Sequence, residues 1–329
     1  MVMNQQQTQY MYGGQTSAFE TAATPSTVLA RVQSFTPVKK NNFIYDLGLG
    51  EGYNYVNTAL GTYDSGGTVV YNPVDFDFLK HWIGPKSGSG TVGTPYALTE
   101  DDVVGLTTGD IQVFTFEDAN TTEATKVVTR YVGCTGDNFT LSGSIGSKVT
   151  CSATFLARHP DNSSSTPTAY TAVTGPAFNV VASVYSWGAT PTQQSGVQSF
   201  TIDFSNNLNG PSNRDIEGRF IAIPVIGFRS YKITFDIKMT SAMVATFIAD
   251  HYSNTGTPNT GASTAIATAD LEFKVALNTG TSHALLWFDA CSIDDIEDPK
   301  QLGGGLVMLK VKATARIGKD NIPIKWWTA

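Results

Sequence analysis

The sequence predicts a mainly β protein built as two tandem sandwich or half-barrel units, each with one flanking α-helix and long loops. Three observations predict it. First, the 329 residues are 41 % hydrophobic and only 15 % charged, against the usual quarter charged in a globular chain. Gly, Ser, Thr and Asn fill the difference, and this mix suits pleated strands and tight turns. Second, apolar residues alternate with polar ones in many short stretches bounded by turn residues. Third, the chain repeats itself. Val32-Gln33-Ser34-Phe35-Thr36 recurs as Val197-Gln198-Ser199-Phe200-Thr201, and Asn41-Asn42 recurs as Asn206-Asn207, both at an offset of 165 residues. The same offset carries Trp82-Ile83 onto Phe247-Ile248. At an offset of 158, the alternating stretch Ser147–Arg158 resembles Gly305–Arg316, and both end in Ala-Arg. Repeats in a fixed register mark a duplicated structural unit.

The elements follow in order. Residues 1–24 read as an N-terminal arm and residues 25–160 as the first unit. Its strand over 27–38 leads into a long polar, Gly-rich excursion and a strand over 68–72. A helix is predicted over 74–83, because Phe78, Leu79, Trp82 and Ile83 fall on one face. Asp75 and Asp77 sit in its first turn, where the helix dipole favours negative charge. A Ser/Gly/Thr loop over 87–95 follows, then strands over 111–117, 125–134, 138–142 and 148–158. Residues 161–190 read as a linker and connecting strand, since Asp161–Thr168 has linker composition. Residues 191–329 form the second unit. Its strands fall over 197–205 and 231–238, its helix over 241–251 with Met243, Val244, Phe247 and Ile248 on one face, and its closing strands over 269–277, 284–293 and 306–316.

Val-Gln-Ser-Phe followed by Asn-Asn, a Gly-rich loop, a strand and one helix is a pattern similar to the tail tube proteins of tailed phages and archaeal tailed viruses. Gly61–Thr68 leading to Pro73, Tyr96-Ala97-Leu98-Thr99-Glu100, and the hairpin ending in Ala157-Arg158 share that look. The resemblance implies tandem tail-tube-like units whose edge strands join between subunits into a closed barrel around a channel, with no cofactor. It implies rings stacked into a tube, with the long loop and N-terminal arm bridging successive rings. With two units per chain, three chains would make a pseudo-six-fold ring; a hexamer is the alternative. The implied partners are other copies of the chain, other tail proteins and genomic DNA passing through the lumen without tight binding. No membrane is implied. The implied location is the virion tail, assembled in the host cytoplasm.

Candidate inter-ring contacts are the loop residues Gly48, Gly50, Glu51, Gly52 and Tyr53, and the apolar C-terminal pair Trp326 and Trp327. The loop reads GxGxG with no helix opening after it, which fails as a phosphate cradle. The two tryptophans either tuck back on their own unit or pack on a neighbour, and the neighbour is the preferred reading.

Other signals carry less chemistry. Cys134, Cys151 and Cys291 form no metal-ligand spacing and read as free. Asp289, Asp294, Asp295, Glu297 and Asp298 lack a calcium-loop pattern and read as a solvated loop or a channel-facing acidic patch. His81 and His251 read as cationic caps at helix ends. Lys310, Lys312 and Arg316 share one strand face. The net charge of −7 argues against tight nucleic-acid binding. No catalytic motif is present, the polar start shows no secretion signal, and no apolar run has the ~20 residues of a membrane helix. Two rival readings are a tail hub or distal tail protein of similar fold, and a carbohydrate-binding module in which Tyr185 and Trp187 stack on sugars.

Overall fold

The structure, a computed structural model, describes residues 8–46, 57–120, 126–163, 166–188, 192–194, 196–208, 220–238, 271–297 and 308–328. The chain opens with β1 (Thr8–Gly14), β2 (Thr27–Val28) and two long strands, β3 (Val32–Asp46) and β4 (Asn57–Tyr71). A 3-10 turn, Asp77–Leu79, leads into the short helix α1 (Lys80–Ile83). Small strands follow: β5 (Lys86–Ser87), β6 (Tyr96–Leu98), β7 (Val104–Gly105) and β8 (Ile111–Gln112). Next come β9 (Phe114–Asn120), β10 (Val128–Ser144), β11 (Thr150–Ala157) and β12 (His159–Asp161). The second half contains β13 (Asn179–Gly188), β14 (Thr192–Gln194), β15 (Val197–Ser205), β16 (Ser230–Lys238) and β17 (Leu271–Asn278). It ends with β18 (Ser282–Glu297), β19 (Met308–Gly318) and β20 (Ile324–Thr328).

The fold is mainly β, as the alternation predicts. The main sheet is one antiparallel path, β3–β4–β11–β10–β15–β16–β19–β18–β17–β13–β14. Two long strands branch. The first half of β10 pairs with β9 and β12, and β9 carries β1 along its whole length. The first half of β18 pairs with β17 and β20, and β20 carries β6. Among the described residues no pairing joins the ends of the path, so the sheet is open.

One arrangement occurs twice. The order β3–β4–β11–β10–β9 recurs as β15–β16–β19–β18–β17. The registers correspond as well. Thr36↔Thr68 and Thr68↔Thr154 in the first set match Thr201↔Thr234 and Thr234↔Lys312 in the second. Tyr131↔Phe116 and Cys134↔Phe114 match Phe288↔Phe273 and Cys291↔Leu271. Both sets carry a β-bulge there, with a left-handed residue inside it: Gly133 at φ 63° and Ala290 at φ 51°. A second bulge falls between Gly136 and Asn138 in one set and between Ile293 and Asp295 in the other.

The core lies where alternate residues of these strands face inward. In the first half Phe78, Trp82, Phe114, Phe116, Tyr131 and Phe155 are buried, with Phe116 and Phe155 centroids 5.1 Å apart. In the second half Phe235 meets Phe273 at 4.2 Å, and Tyr231 meets Phe288 at 4.8 Å. The indole of Trp82 donates to the carbonyls of Asn138 and Thr154, both at 3.1 Å. It lies flat over Gly136, where a Cβ would stand 2.3 Å from the ring. Glycine at this position is what lets α1 dock on the sheet.

The structure alters several sequence expectations. The first helix is shorter than 74–83, because Phe76 leaves the helical path to lie buried against Phe178 at 5.3 Å. Burial of one aromatic ring outweighs the few helical hydrogen bonds lost. The segment predicted as the second helix, 241–251, lies outside the described residues. The excursion between the first two strands is shorter than expected: β3 and β4 extend as a paired hairpin to Asp46↔Asn57. From Thr8 onward the N-terminal segment is a strand paired on β9.

Candidate assembly surfaces

The joint between the two halves shows how this chain buries a strand edge. Over seven residue pairs, from Asn138↔Ser205 to Ser144↔Ser199, β10 and β15 run antiparallel. Thr140 donates to Asp203 across the joint at 2.6 Å. Beyond β15, Asn206 is fully buried and donates to the carbonyls of Trp82 (2.9 Å) and Gly136 (2.8 Å). Arg229 donates to the Asn206 side-chain oxygen at 2.8 Å and to the carbonyls of Trp82 and Ile83 at 2.8 and 3.0 Å. The last carbonyls of α1, which have no helical partners, accept from Asn206 and Arg229 of the second half, and that of Ile83 also from the Asp101 N–H at 3.0 Å. Burial pushes the Arg229 pKa down, with the nearby Tyr231 and Glu100 partly countering it. The repeated Asn-Asn pair flagged position 206 in the sequence, but its role at this joint had no sequence signal.

The ends of the sheet look different. Among the described residues β3 pairs with β4 alone, and its side chains from Thr36 to Ile44 are exposed or half-buried on both faces. Val38 is 45 %, Ile44 59 % and Leu60 67 % exposed. A bulge after Asn41 is held by the Asn42 amide, which donates to Thr62 and Asp64 at 2.9 Å each. Gly61 lies opposite, where a Cβ would stand 1.8 Å from the Asn42 carbonyl oxygen. A groove of about 440 Å³ between this hairpin and β11 is lined by Val38, Asn42, Gly66, Phe155 and Ile221. The segment 47–56 joins β3 to β4, so Gly48, Gly50, Glu51, Gly52 and Tyr53 lie outside the described residues.

The C-terminal tryptophans part company. Trp326 is 6 % exposed and packs on Tyr96 at 5.4 Å and Phe76 at 6.2 Å, inside its own chain. Trp327 points to the other face of β20, is half-buried, and stacks on His283 at 5.5 Å.

Four of the five acidic residues singled out in the sequence lie in strand β18 and not in a loop; Asp298 lies outside the described residues. Lys312 bridges Asp295 at 3.3 Å and also Glu297. Lys319 bridges Glu272 at 2.8 Å and Asp289 at 3.2 Å, and both carboxylates push the lysine pKa up. Thr314 donates to Asp294. Among the described residues no three His, Cys, Asp or Glu side chains group as metal ligands. The cysteines are free and buried, and burial pushes the Cys151 thiol up to about 12, far from the thiolate that reactive cysteines need. His81 is buried and accordingly neutral, with a pKa near 3, so it is no cationic cap. Tyr185 and Trp187 are 7 % and 3 % exposed, which removes the stacking platform a sugar-binding reading required.

A family model described as phage tail tube protein matches residues 5–317. The chain belongs to that family. No curated protein matches it. As a tail tube protein it is a structural component of the viral tail. Among its described residues no helix is long and apolar enough to cross a membrane.

Proposed function

We propose that this chain assembles into rings that stack into the tube through which the viral genome passes. The observation that carries the reading is a terminal strand, β3, that among the described residues pairs with β4 alone and carries exposed side chains, in a chain of the tail tube family. An unpaired edge is a standing template for another strand, and ring closure between copies removes it. The recurring strand order supports two fused units per chain, so three chains make a pseudo-six-fold ring. Exposed apolar groups on the β3–β4 hairpin, the loop holding Gly48, Gly50, Glu51, Gly52 and Tyr53, and Trp327 of the Trp326-Trp327 pair are the contacts proposed between successive rings. A net charge of −7 suits a channel that DNA traverses without adhering. Assembly belongs to the host cytoplasm. Electron microscopy of the purified full chain tests the reading. Rings or tubes with three chains per layer are expected. A monodisperse monomer that forms neither under any assembly condition would overturn it, and six chains per layer would overturn the trimer.

A further inference from the structure

We infer that Lys39 and Asp118 form a pH-sensitive latch between the base of the β3–β4 hairpin and the layer of β1, β9 and β10. With Asp118 ionised, Lys39 is held across the gap between the layers. With Asp118 protonated, the hairpin base is released. The latch lies within one chain, so it does not rest on the ring reading.

The geometry comes from two layers that face each other. Phe35 of β3 packs on Phe116 of β9 at 5.1 Å and on Tyr131 of β10 at 5.6 Å. Asp118 stands two residues along β9 from Phe116, and Lys39 four residues along β3 from Phe35. Even spacing keeps each on the same face as its aromatic neighbour, so both point into the gap between the layers. The aromatic packing gives way there, where Asp118 is half-buried and Lys39 exposed.

Lys39 already spans this gap. Its Nζ donates to the Thr129 hydroxyl at 3.3 Å and lies 5.4 Å from the centroid of the Tyr131 ring. Thr129 is the cross-strand partner of Asp118 on β10, and Tyr10 is its partner on β1. Thr129 donates in turn to the Asn162 side-chain oxygen at 2.8 Å. One ammonium thus ties the hairpin to the facing layer beside the carboxylate. Past Lys39 the hairpin carries exposed Phe43, Ile44 and Leu60, so a hold at its base fixes the direction in which they are presented.

The carboxylate decides how firmly the ammonium is held. Burial pushes Asp118 from 3.8 up to about 6, and the Lys39 charge partly counters it. A cation that lowers the pKa of a carboxyl group is attracted more by its ionised form, so Lys39 is drawn in above about pH 6 and let go below it. The other titratable groups facing Asp118 keep their protons in this range. Burial and the Asp118 charge push Tyr10 up to about 12. They raise Tyr131 likewise, with Tyr63 of β4 beside it. Glu117 and Arg130 pair with each other at 2.9 Å, on the opposite face of β9 and β10. Lys40 and Asp64, paired across the hairpin, alternate away from the gap.

Hydrogen exchange of the full chain at about pH 7.5 and about pH 5, expressed as protection factors, tests the latch in peptides covering Val38–Asn42 and Thr62–Gly66. In the natural chain protection there is expected to fall about threefold at the lower pH, the scale of a partly exposed charge pair. Asp118→Asn and Lys39→Met are expected to show the lower protection at both pH values. A carboxyl NMR titration supplies the second measurement. The Asp118 midpoint is expected near 6 in the natural chain, and higher in Lys39→Met or in about 1 M salt, which screens the pair. Equal protection at both pH values in the natural chain, the same fall in Asp118→Asn, or a midpoint unmoved by Lys39→Met would overturn the latch. Should Asp118→Asn lose protection throughout the chain, the exposed substitution Lys39→Met decides alone by the same criteria.

Discussion

His81 is enclosed beneath the first half's sheet, its Nδ1 donating to the Gln112 carbonyl oxygen at 2.6 Å, and burial drives its pKa from 6.5 down to about 3. The unfolded chain takes up a proton near pH 6.5 that the folded chain refuses until about pH 3. The stability this residue contributes is therefore full above pH 6.5 and is lost as the pH falls towards about 3. Asp118 works in the opposite sense. Burial pushes it from 3.8 up to about 6, with Lys39 partly countering. Its contribution is full below pH 3.8 and is lost as the pH rises through about 6. A His81→Gln chain keeps a donor for Gln112 and carries no proton-linked penalty. Its stability is expected to fall less between pH 7 and pH 4.5 than that of the natural chain, by urea denaturation at each pH. An equal fall in both chains would show that His81 does not drive acid destabilisation. The sequence suggested a charged histidine at a helix end because position along a helix is legible in sequence and burial of that end is not.

At the scale of elements, the bulges in β10 and β18 are one device built with two residue types. Gly133 and Ala290 both take left-handed backbone, at φ 63° and 51°. Glycine adopts this conformation freely, whereas alanine carries a penalty of about 1–2 kcal/mol. Glycine's extra freedom in the unfolded chain returns part of the difference. Ala290→Gly is therefore expected to stabilise the chain by roughly 0.5–1 kcal/mol, seen as a higher urea midpoint at unchanged slope. Gly133→Ala is expected to destabilise it by more than that, because its Cβ would also stand 2.8 Å from the Phe19 carbonyl oxygen. A destabilised Ala290→Gly chain would show that the Asp289 side chain, which accepts from the Ala290 N–H at 2.8 Å, already relieves the strain. These correspondences also mark what was legible. The correspondence of Phe35 and Phe200 was legible because the five residues Val32–Thr36 and Val197–Thr201 are identical. Val69 and Phe235, or Thr154 and Lys312, hold matching registers with unlike side chains, so pairing alone relates them. The β3–β4 hairpin read as a loop because its far half is exposed on both faces and leaves no alternating pattern.

At the scale of the molecule, the segment that joins the two halves is not what holds them together. After β12 the chain runs through Asp161–Ser163, and Thr168 then returns to the first half, donating twice to the buried Glu117 at 2.9 and 2.8 Å. Glu117 is also held by Arg130 at 2.9 Å, so a buried carboxylate keeps its counter-charge and the joining segment supplies further donors. Past that point the halves meet along β10 and β15, around Asn206 and Arg229, and in one shared apolar core. None of these contacts depends on the covalent link at Ser163. An isolated first half would instead lose the partners of the β10 edge and of the Trp82 carbonyl together, and an unmade hydrogen bond at each buried group costs about 1–3 kcal/mol. A protease site inserted after Ser163 and cleaved in the folded chain is therefore expected to give two fragments that co-elute on size exclusion and unfold in one urea transition. Separation of the fragments without denaturant, or two resolved transitions, would show that each half is a self-sufficient domain and that the continuous sheet is a docking of independent bodies.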